Sequence, residues 1–79
     1  MKFDDEDKVA CLVLGASDEQ NQRLFNALTT MPADRRVVIG EPLPFIVRYV
    51  EAGGRLDVLP TGTRPPEHPN LLLLNADNR

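Results

Sequence analysis

The chain has 79 residues, a net charge of −3, one cysteine and one histidine. This length allows one small domain with a modest core, and a single cysteine excludes an intrachain disulfide. The acidic balance argues against nucleic acid and anionic membranes, and no apolar run approaches the ~18 residues of a transmembrane helix. We therefore expect a cytoplasmic protein that binds neither nucleic acid nor membrane and holds no metal or cofactor.

The first part of the chain predicts a strand followed by a helix. Residues 1–8 are mostly charged, which predicts an acidic disordered tail ahead of one domain over residues 9–79. Residues 9–14 form a continuous apolar run, which is typical of a strand buried on both faces. Ser17 predicts a helix N-cap, and Pro32 ends that helix because proline cannot continue its hydrogen-bond ladder.

The remainder predicts two more strands and one more helix. Val37–Ile39 is a short β-branched run and indicates a second strand. A helix follows and ends at the Gly53-Gly54 pair. Residues 55–69 contain four prolines and predict a long irregular segment, which is either an ordered functional loop or mobile. Leu71–Leu74 predict the last strand.

This β-α-β-α-β order predicts an α/β fold with a parallel sheet. Cys11 lies in the first apolar run, and we expect a buried core residue rather than a reactive thiol. The apolar positions of all five elements predict a core of nine residues: Leu12, Leu14, Leu24, Leu28, Val38, Val47, Val50, Leu72 and Leu74.

The last strand carries a motif that points to a family. Residues 69–75 read Pro-Asn-Leu-Leu-Leu-Leu-Asn, which resembles the third strand of response-regulator receiver domains, P-D followed by four aliphatic residues and D. The resemblance implies a truncated receiver-like domain with a partial flavodoxin-like fold, whose parallel sheet has the order 2-1-3. The chain is most similar to the phytochrome-associated type, whose members also carry a longer Pro-containing segment before this strand.

The same resemblance implies that the phosphotransfer chemistry of receivers is lost. Receivers hold a divalent cation on two acidic residues after strand 1, and the last Asp of the motif accepts the phosphoryl group. Here Gly15 and Ala16 match the acidic pair and Asn75 matches the acceptor, so none of these positions has a carboxylate. We therefore expect no enzyme activity. Asp18 and Asp77 lie nearby in sequence, and weak cation binding by them is a less favoured alternative.

Three functions remain open at this point. The leading hypothesis is a non-phosphorylatable protein-protein interaction module of two-component signalling, which docks on a histidine kinase or phosphotransfer protein. The residues expected to bind that partner are Ser17, Asp18, Gln22 and Arg23. The alternative is a small ligand- or nucleotide-binding module that uses the Gly15 turn, which lacks a complete glycine motif. The third is a degenerate remnant without a partner.

The last strand also predicts self-association. In the order 2-1-3 the strand Leu71, Leu72, Leu73, Leu74 lies at one edge of the sheet, and neither Lys nor Pro interrupts it. We expect a homodimer in which two copies of this strand pair antiparallel about a twofold axis. Exchange of the strand between copies is a variant that the sequence leaves open.

Overall fold

The computed structural model describes residues 6–76, which form a parallel four-stranded sheet and two helices. The predicted α/β class with a parallel sheet is therefore confirmed. In chain order the elements are β1 (Val9–Val13), α1 (Asp18–Thr30), β2 (Arg35–Ile39), α2 (Pro44–Glu51), β3 (Asp57–Leu59) and β4 (Leu71–Asn75).

The strand order within the described sheet is β3-β2-β1-β4. The predicted three-stranded order 2-1-3 is not confirmed, because β3 forms inside the segment that the sequence predicts to be irregular and pairs in parallel with β2. β1 lies between β2 and β4, with Cys11 opposite Val37 on one side and Leu73 on the other. Sequence patterns miss β3 because three residues are too few to show a periodicity.

Helix α1 begins as the sequence predicts. The side chain of Ser17 accepts a hydrogen bond from the Gln20 N–H at 3.3 Å, and the last helical residue precedes Pro32 by two positions. Of its two positions predicted for the core, Leu28 is buried and Leu24 is half-buried. Asn21, Phe25 and Leu28 are buried, while the remaining residues of the helix are half-buried or exposed.

Both described helices pack on the same face of the sheet. The ring of Phe25 from α1 contacts Phe45 and Tyr49 from α2 edge to face, at centroid distances of 5.3 Å and 5.5 Å. Leu12 and Val38 supply the sheet side of this core cluster. The strand order explains this arrangement. The chain moves in the same direction across the sheet from β1 to β2 and from β2 to β3, so two right-handed crossovers place α1 and α2 on the same face.

The second face of the sheet is also buried. Its core consists of Val9, Cys11, Val37 and Ile39. Burial raises the pKa of the Cys11 thiol to about 11, which agrees with its predicted place in the core.

The connection between β3 and β4 has to cross the sheet. These strands lie at opposite edges of the sheet and run parallel, so residues 60–70 must cross it. The helices occupy the first face, and Pro65, Pro66 and His68 of the connection are half-buried. The long proline-rich segment is therefore a partly buried crossover that contains no helix, where parallel sheets ordinarily have one.

The predicted core is correct in its centre and wrong at its margins. Leu12, Leu28 and Val38 are buried, and Leu14, Leu24 and Leu74 are half-buried against them. Val47, Val50 and Leu72 are exposed, so their prediction as core residues is wrong. α2 turns Phe45 and Tyr49 toward Phe25 instead, and Leu72 lies on β4 at one edge of the described sheet.

The boundary of the predicted tail is described only in part. Residues 1–5 lie outside the described residues. The Lys8 N–H donates a hydrogen bond to the Asp34 carboxylate at 2.8 Å, and Asp7 lies 3.8 Å from Arg35 Nε. These contacts join the start of β1 to the loop before β2. None of the described helices has the length and apolar character needed to cross a membrane.

Arg36 links β2 to the end of α1. Its guanidinium donates hydrogen bonds to the carbonyl oxygens of Leu28 at 2.9 Å and Met31 at 2.8 Å. Both acceptors belong to the last turn of the helix and its C-cap, where carbonyl groups lack helical partners and a cation is favourable. No sequence motif signals this role of Arg36.

We predict that Arg36→Ala lowers the free energy of unfolding by about 1.5–3 kcal/mol, because two carbonyl groups lose a charged donor. Arg35→Ala removes the same charge from an exposed neighbour and should lower the free energy of unfolding by less than ~1 kcal/mol. Urea denaturation of both variants measures the difference. Equal losses would show that Arg36 contributes only its charge.

Candidate ligand-binding cleft

The turn between β1 and α1 is held by one buried side chain. Asn21 is only 1% exposed, and its amide makes two hydrogen bonds to Gly15. The Gly15 N–H donates to Asn21 Oδ1 at 2.8 Å, and Asn21 Nδ2 donates to the Gly15 carbonyl oxygen at 2.9 Å. Both backbone polar groups of Gly15 are thereby paired, which joins the turn to the start of α1.

A second close contact sets the position of the chain after β2. Gly40 has φ +143°, and a β-carbon there would lie 2.8 Å from Leu14 Cβ. Only glycine combines this backbone conformation with so close an approach. The chain therefore passes directly against the end of β1 before it continues to Glu41.

These two features leave a cleft of about 370 Å³ at the carboxyl ends of β1, β2 and β3. Parallel α/β sheets ordinarily bind ligands at this edge. The lining comes from four described segments: Leu14, Gly15 and Ala16 after β1, Asp18 and Asn21 in α1, Gly40, Glu41 and Leu43 after β2, and Thr61 after β3.

The described lining of the cleft is acidic. Asp18 and Glu41 supply carboxylates, and none of the lining residues is a lysine, arginine or histidine. The first turn of α1 adds N–H groups that have no acceptor within the helix. The cleft therefore offers hydrogen-bond acceptors with negative charge beside backbone donors. No group of three or more metal-binding side chains occurs among the described residues.

The structure brings together only some of the predicted site residues. Gly15, Ala16 and Asp18 line the cleft, and Ser17 caps the helix beside it. Gln22 is exposed on α1 outside the lining residues. Arg23 is also outside them and forms an exposed ion pair with Glu19 at 3.1 Å. Asp77, the other candidate for weak cation binding, lies outside the described residues.

Asn75 ends β4 at the same edge of the sheet. It is exposed, pairs in register with Val13, and is not among the residues that line the cleft. The Ala76 N–H donates to the Val13 carbonyl oxygen at 2.9 Å, so the two strands stay joined to their ends. Asn75 as a degenerate phosphoacceptor position, with Gly15 and Ala16 as degenerate acidic positions, stays a prediction.

Sequence patterns miss several residues that shape the cleft. Asn21 is polar in a helix interior, where an exposed position is the ordinary expectation, yet it is buried. Gly40 after a β-branched run signals only a strand end. No local sequence pattern marks Glu41, Leu43 and Thr61 as cleft residues, because only the order of the strands brings their segments together.

Comparisons with protein-family models, curated proteins and solved structures give no match to this chain. They neither support nor oppose the resemblance to receiver domains, which stays a prediction. What the cleft binds must therefore be inferred from its geometry and charge.

We predict that Asn21→Ala lowers the free energy of unfolding by about 1–3 kcal/mol, because the Gly15 N–H and carbonyl groups lose their partners. The neighbouring exposed change Gln22→Ala should stay within ~0.5 kcal/mol of the parent. Chemical denaturation measures both. If Asn21→Ala is as stable as the control, the turn does not depend on this side chain.

The predicted homodimer depends on the exposed edge of strand β4. Leu72 and Leu73 point to opposite faces and are 50% and 45% exposed, and no described strand pairs with the outer side of β4. Antiparallel pairing of two copies would satisfy the backbone groups of the edge and place leucines of the two strands side by side on each face. The homodimer stays a prediction.

We predict that Leu73→Lys weakens self-association at micromolar concentration by placing charge at the seam. Val47→Lys adds the same charge at an exposed apolar position on α2 and should leave the dimer intact. Sedimentation equilibrium gives the mass of each form. A folded monomer of 8.8 kDa for the parent chain would contradict self-association through β4.

Proposed function

We propose that this chain is a non-enzymatic binding module that takes a small polar ligand in the cleft beside Gly15. The observation that carries the proposal is the cleft itself. The Asn21 contacts and the close approach of Gly40 to Leu14 position the chain segments on either side of it. Its volume of about 370 Å³ lies within the range of ~300–1,000 Å³ that is typical of ligand pockets.

The topology favours this proposal over the receiver-like one. The order β3-β2-β1-β4 matches the first four strands of dinucleotide-binding α/β folds, which bind ligands at the carboxyl edge of the sheet. A flavodoxin-like order 2-1-3 reverses direction after the second strand, so its first two helices lie on opposite faces. Here Phe25 of α1 contacts Tyr49 of α2 on one face.

Binding is favoured over catalysis by the chemistry of the lining. The described lining residues include neither histidine nor cysteine, so Thr61 has no histidine base beside it to activate its hydroxyl. Cys11 is buried in the second face of the sheet, where its raised pKa keeps the thiol protonated at neutral pH.

A second candidate is the receiver-like interaction module of two-component signalling. The observation in its favour is that Ala16, Ser17, Asp18, Gln22 and Arg23 are all exposed around the start of α1. A histidine kinase or phosphotransfer protein that docks there would meet no carboxylate at Gly15, Ala16 or Asn75. The cytoplasm is the proposed location for either function.

Amide chemical shifts of the ¹⁵N-labelled chain test the proposal. A set of uncharged, anionic and cationic small molecules is added, and we expect at least one class to shift the Gly15, Asp18 and Glu41 amides. Ala16→Phe fills the cleft and should weaken that binding by roughly tenfold or more. Ala27→Phe, on the exposed side of α1, should leave the affinity unchanged.

Two outcomes would contradict ligand binding in the cleft. One is the absence of any shift at the Gly15, Asp18 and Glu41 amides with every class of molecule. The other is equal weakening by Ala16→Phe and Ala27→Phe, which would place the ligand elsewhere. Shifts at Gln22 and Arg23 on addition of a phosphotransfer protein would favour the second candidate.

A further inference from the structure

We propose that the outer edge of β3 binds an extended, acidic segment of a partner protein. The described sheet has two edges, β3 and β4, and the predicted homodimer uses β4. Among the described strands β3 pairs with β2 alone, so its other side can take an added strand. The three residues of β3 are not among those that line the cleft, so the inference does not depend on the proposed function.

The backbone of β3 favours an extended partner. The Leu59 carbonyl oxygen accepts a hydrogen bond from the Gly40 N–H at 2.9 Å, so Leu59 directs its backbone polar groups toward the β2 side. Successive residues of a strand direct these groups to opposite sides, and those of Val58 therefore point outward. An extended peptide supplies an acceptor and a donor to such a residue, which is how peptides add to sheet edges.

One side chain of that partner meets an apolar groove. Val58 is level with Val38 of β2, which lies in the core cluster under the helices, so Val58 points to the same face. A groove of about 200 Å³ lies beside it, here called the α2 groove, and its lining is Pro42, Ile46, Val47, Val50, Glu51 and Val58. Paired residues of neighbouring strands point to one face, so the partner residue opposite Val58 enters this groove and should be aliphatic.

The charge of the partner follows from arginines at the start of β3. A cavity of about 160 Å³ there is lined by Asp34, Arg35, Arg36, Arg55, Leu56 and Asp57. Arginines outnumber carboxylates in this lining, although the whole chain has a net charge of −3. Asp34 already accepts a hydrogen bond from the Lys8 N–H. The exposed Arg55 side chain has neither an ion pair nor a hydrogen bond among the described residues, so a carboxylate of the partner would be its acceptor.

Side chains rather than backbone groups must select the partner. Val58 is the one residue of this short strand with outward backbone groups, and Pro60 after it has no N–H. The edge is thereby protected against long strand pairing, and the few backbone hydrogen bonds that it offers give little net affinity. Binding therefore depends on the aliphatic residue in the α2 groove and the acidic residue at Arg55.

The spacing of these two contacts defines the peptides that test the proposal. Arg55 comes three positions before Val58, so the acidic and aliphatic residues of the partner are three positions apart. The acidic residue precedes the aliphatic one in a parallel partner and follows it in an antiparallel one. The two probes are the N-acetylated, C-amidated hexapeptides Glu-Thr-Thr-Val-Thr-Thr and Thr-Thr-Val-Thr-Thr-Glu.

Titration of the ¹⁵N-labelled full chain with both peptides measures Kd from the Val58 amide shift. We expect one of the two orders to bind through β3. Replacing its Glu by Lys, its Val by Thr, or its Val by N-methylvaline should each weaken binding at least roughly threefold. The first change reports the charge, the second reports the α2 groove, and the third reports the backbone pairing.

A matched pair of variants assigns the charge preference to Arg55. Arg55→Gln should remove most of the preference for the Glu peptide over the Lys peptide. Arg48→Gln removes the same charge from an exposed position on α2, outside the lining of the α2 groove, and should keep that preference. Equal effects of the two variants would overturn the role of Arg55.

Three results would overturn the inference as a whole. One is an unchanged Val58 amide with both peptides. Another is equal Kd values for the Glu and Lys peptides. The third is a Val58 shift when the chain alone is concentrated, since the occupant of the edge would then be a second copy. None of them bears on the cleft, which the Gly15 and Asp18 amides report separately.

Discussion

Strand β1 is buried on both faces, and the rest of the structure depends on covering it. Val9, Ala10, Cys11 and Leu12 are each at most 1% exposed. One face is covered by α1 and α2, which meet through Phe25. On the other face Val13, Leu59 and Leu71 pack against the buried cluster. Within the described residues, the central parallel strand is therefore buried with helices on one face only.

The cleft follows from the same constraint. Because β1, β2 and β3 are parallel neighbours, the loops that leave them gather at one edge of the sheet. Asn21 fixes the first of these loops from inside the core, and Gly40 lets the second pass close to Leu14. Asp18 and Glu41 then line the cleft beside the start of α1, so its lining is acidic.

Much of the fold could be predicted from the sequence, and little of the cleft. The apolar run of β1, the Ser17 cap and the four leucines of β4 are strong local signals. α2 has apolar side chains on two adjoining sides, and contact with Phe25 rather than periodicity selects Phe45 and Tyr49 over Val47 and Val50. The cleft joins residues from distant segments, which only the strand order brings together.

The placement of both helices on one face is the central claim, and nuclear Overhauser effects between aromatic side chains test it most directly. The chain has three phenylalanines and one tyrosine, so their ring signals are readily assigned. We predict cross-peaks from the Phe25 ring to both Phe45 and Tyr49. Cross-peaks from Tyr49 to Cys11 and Val37, on the second face of the sheet, would contradict the account.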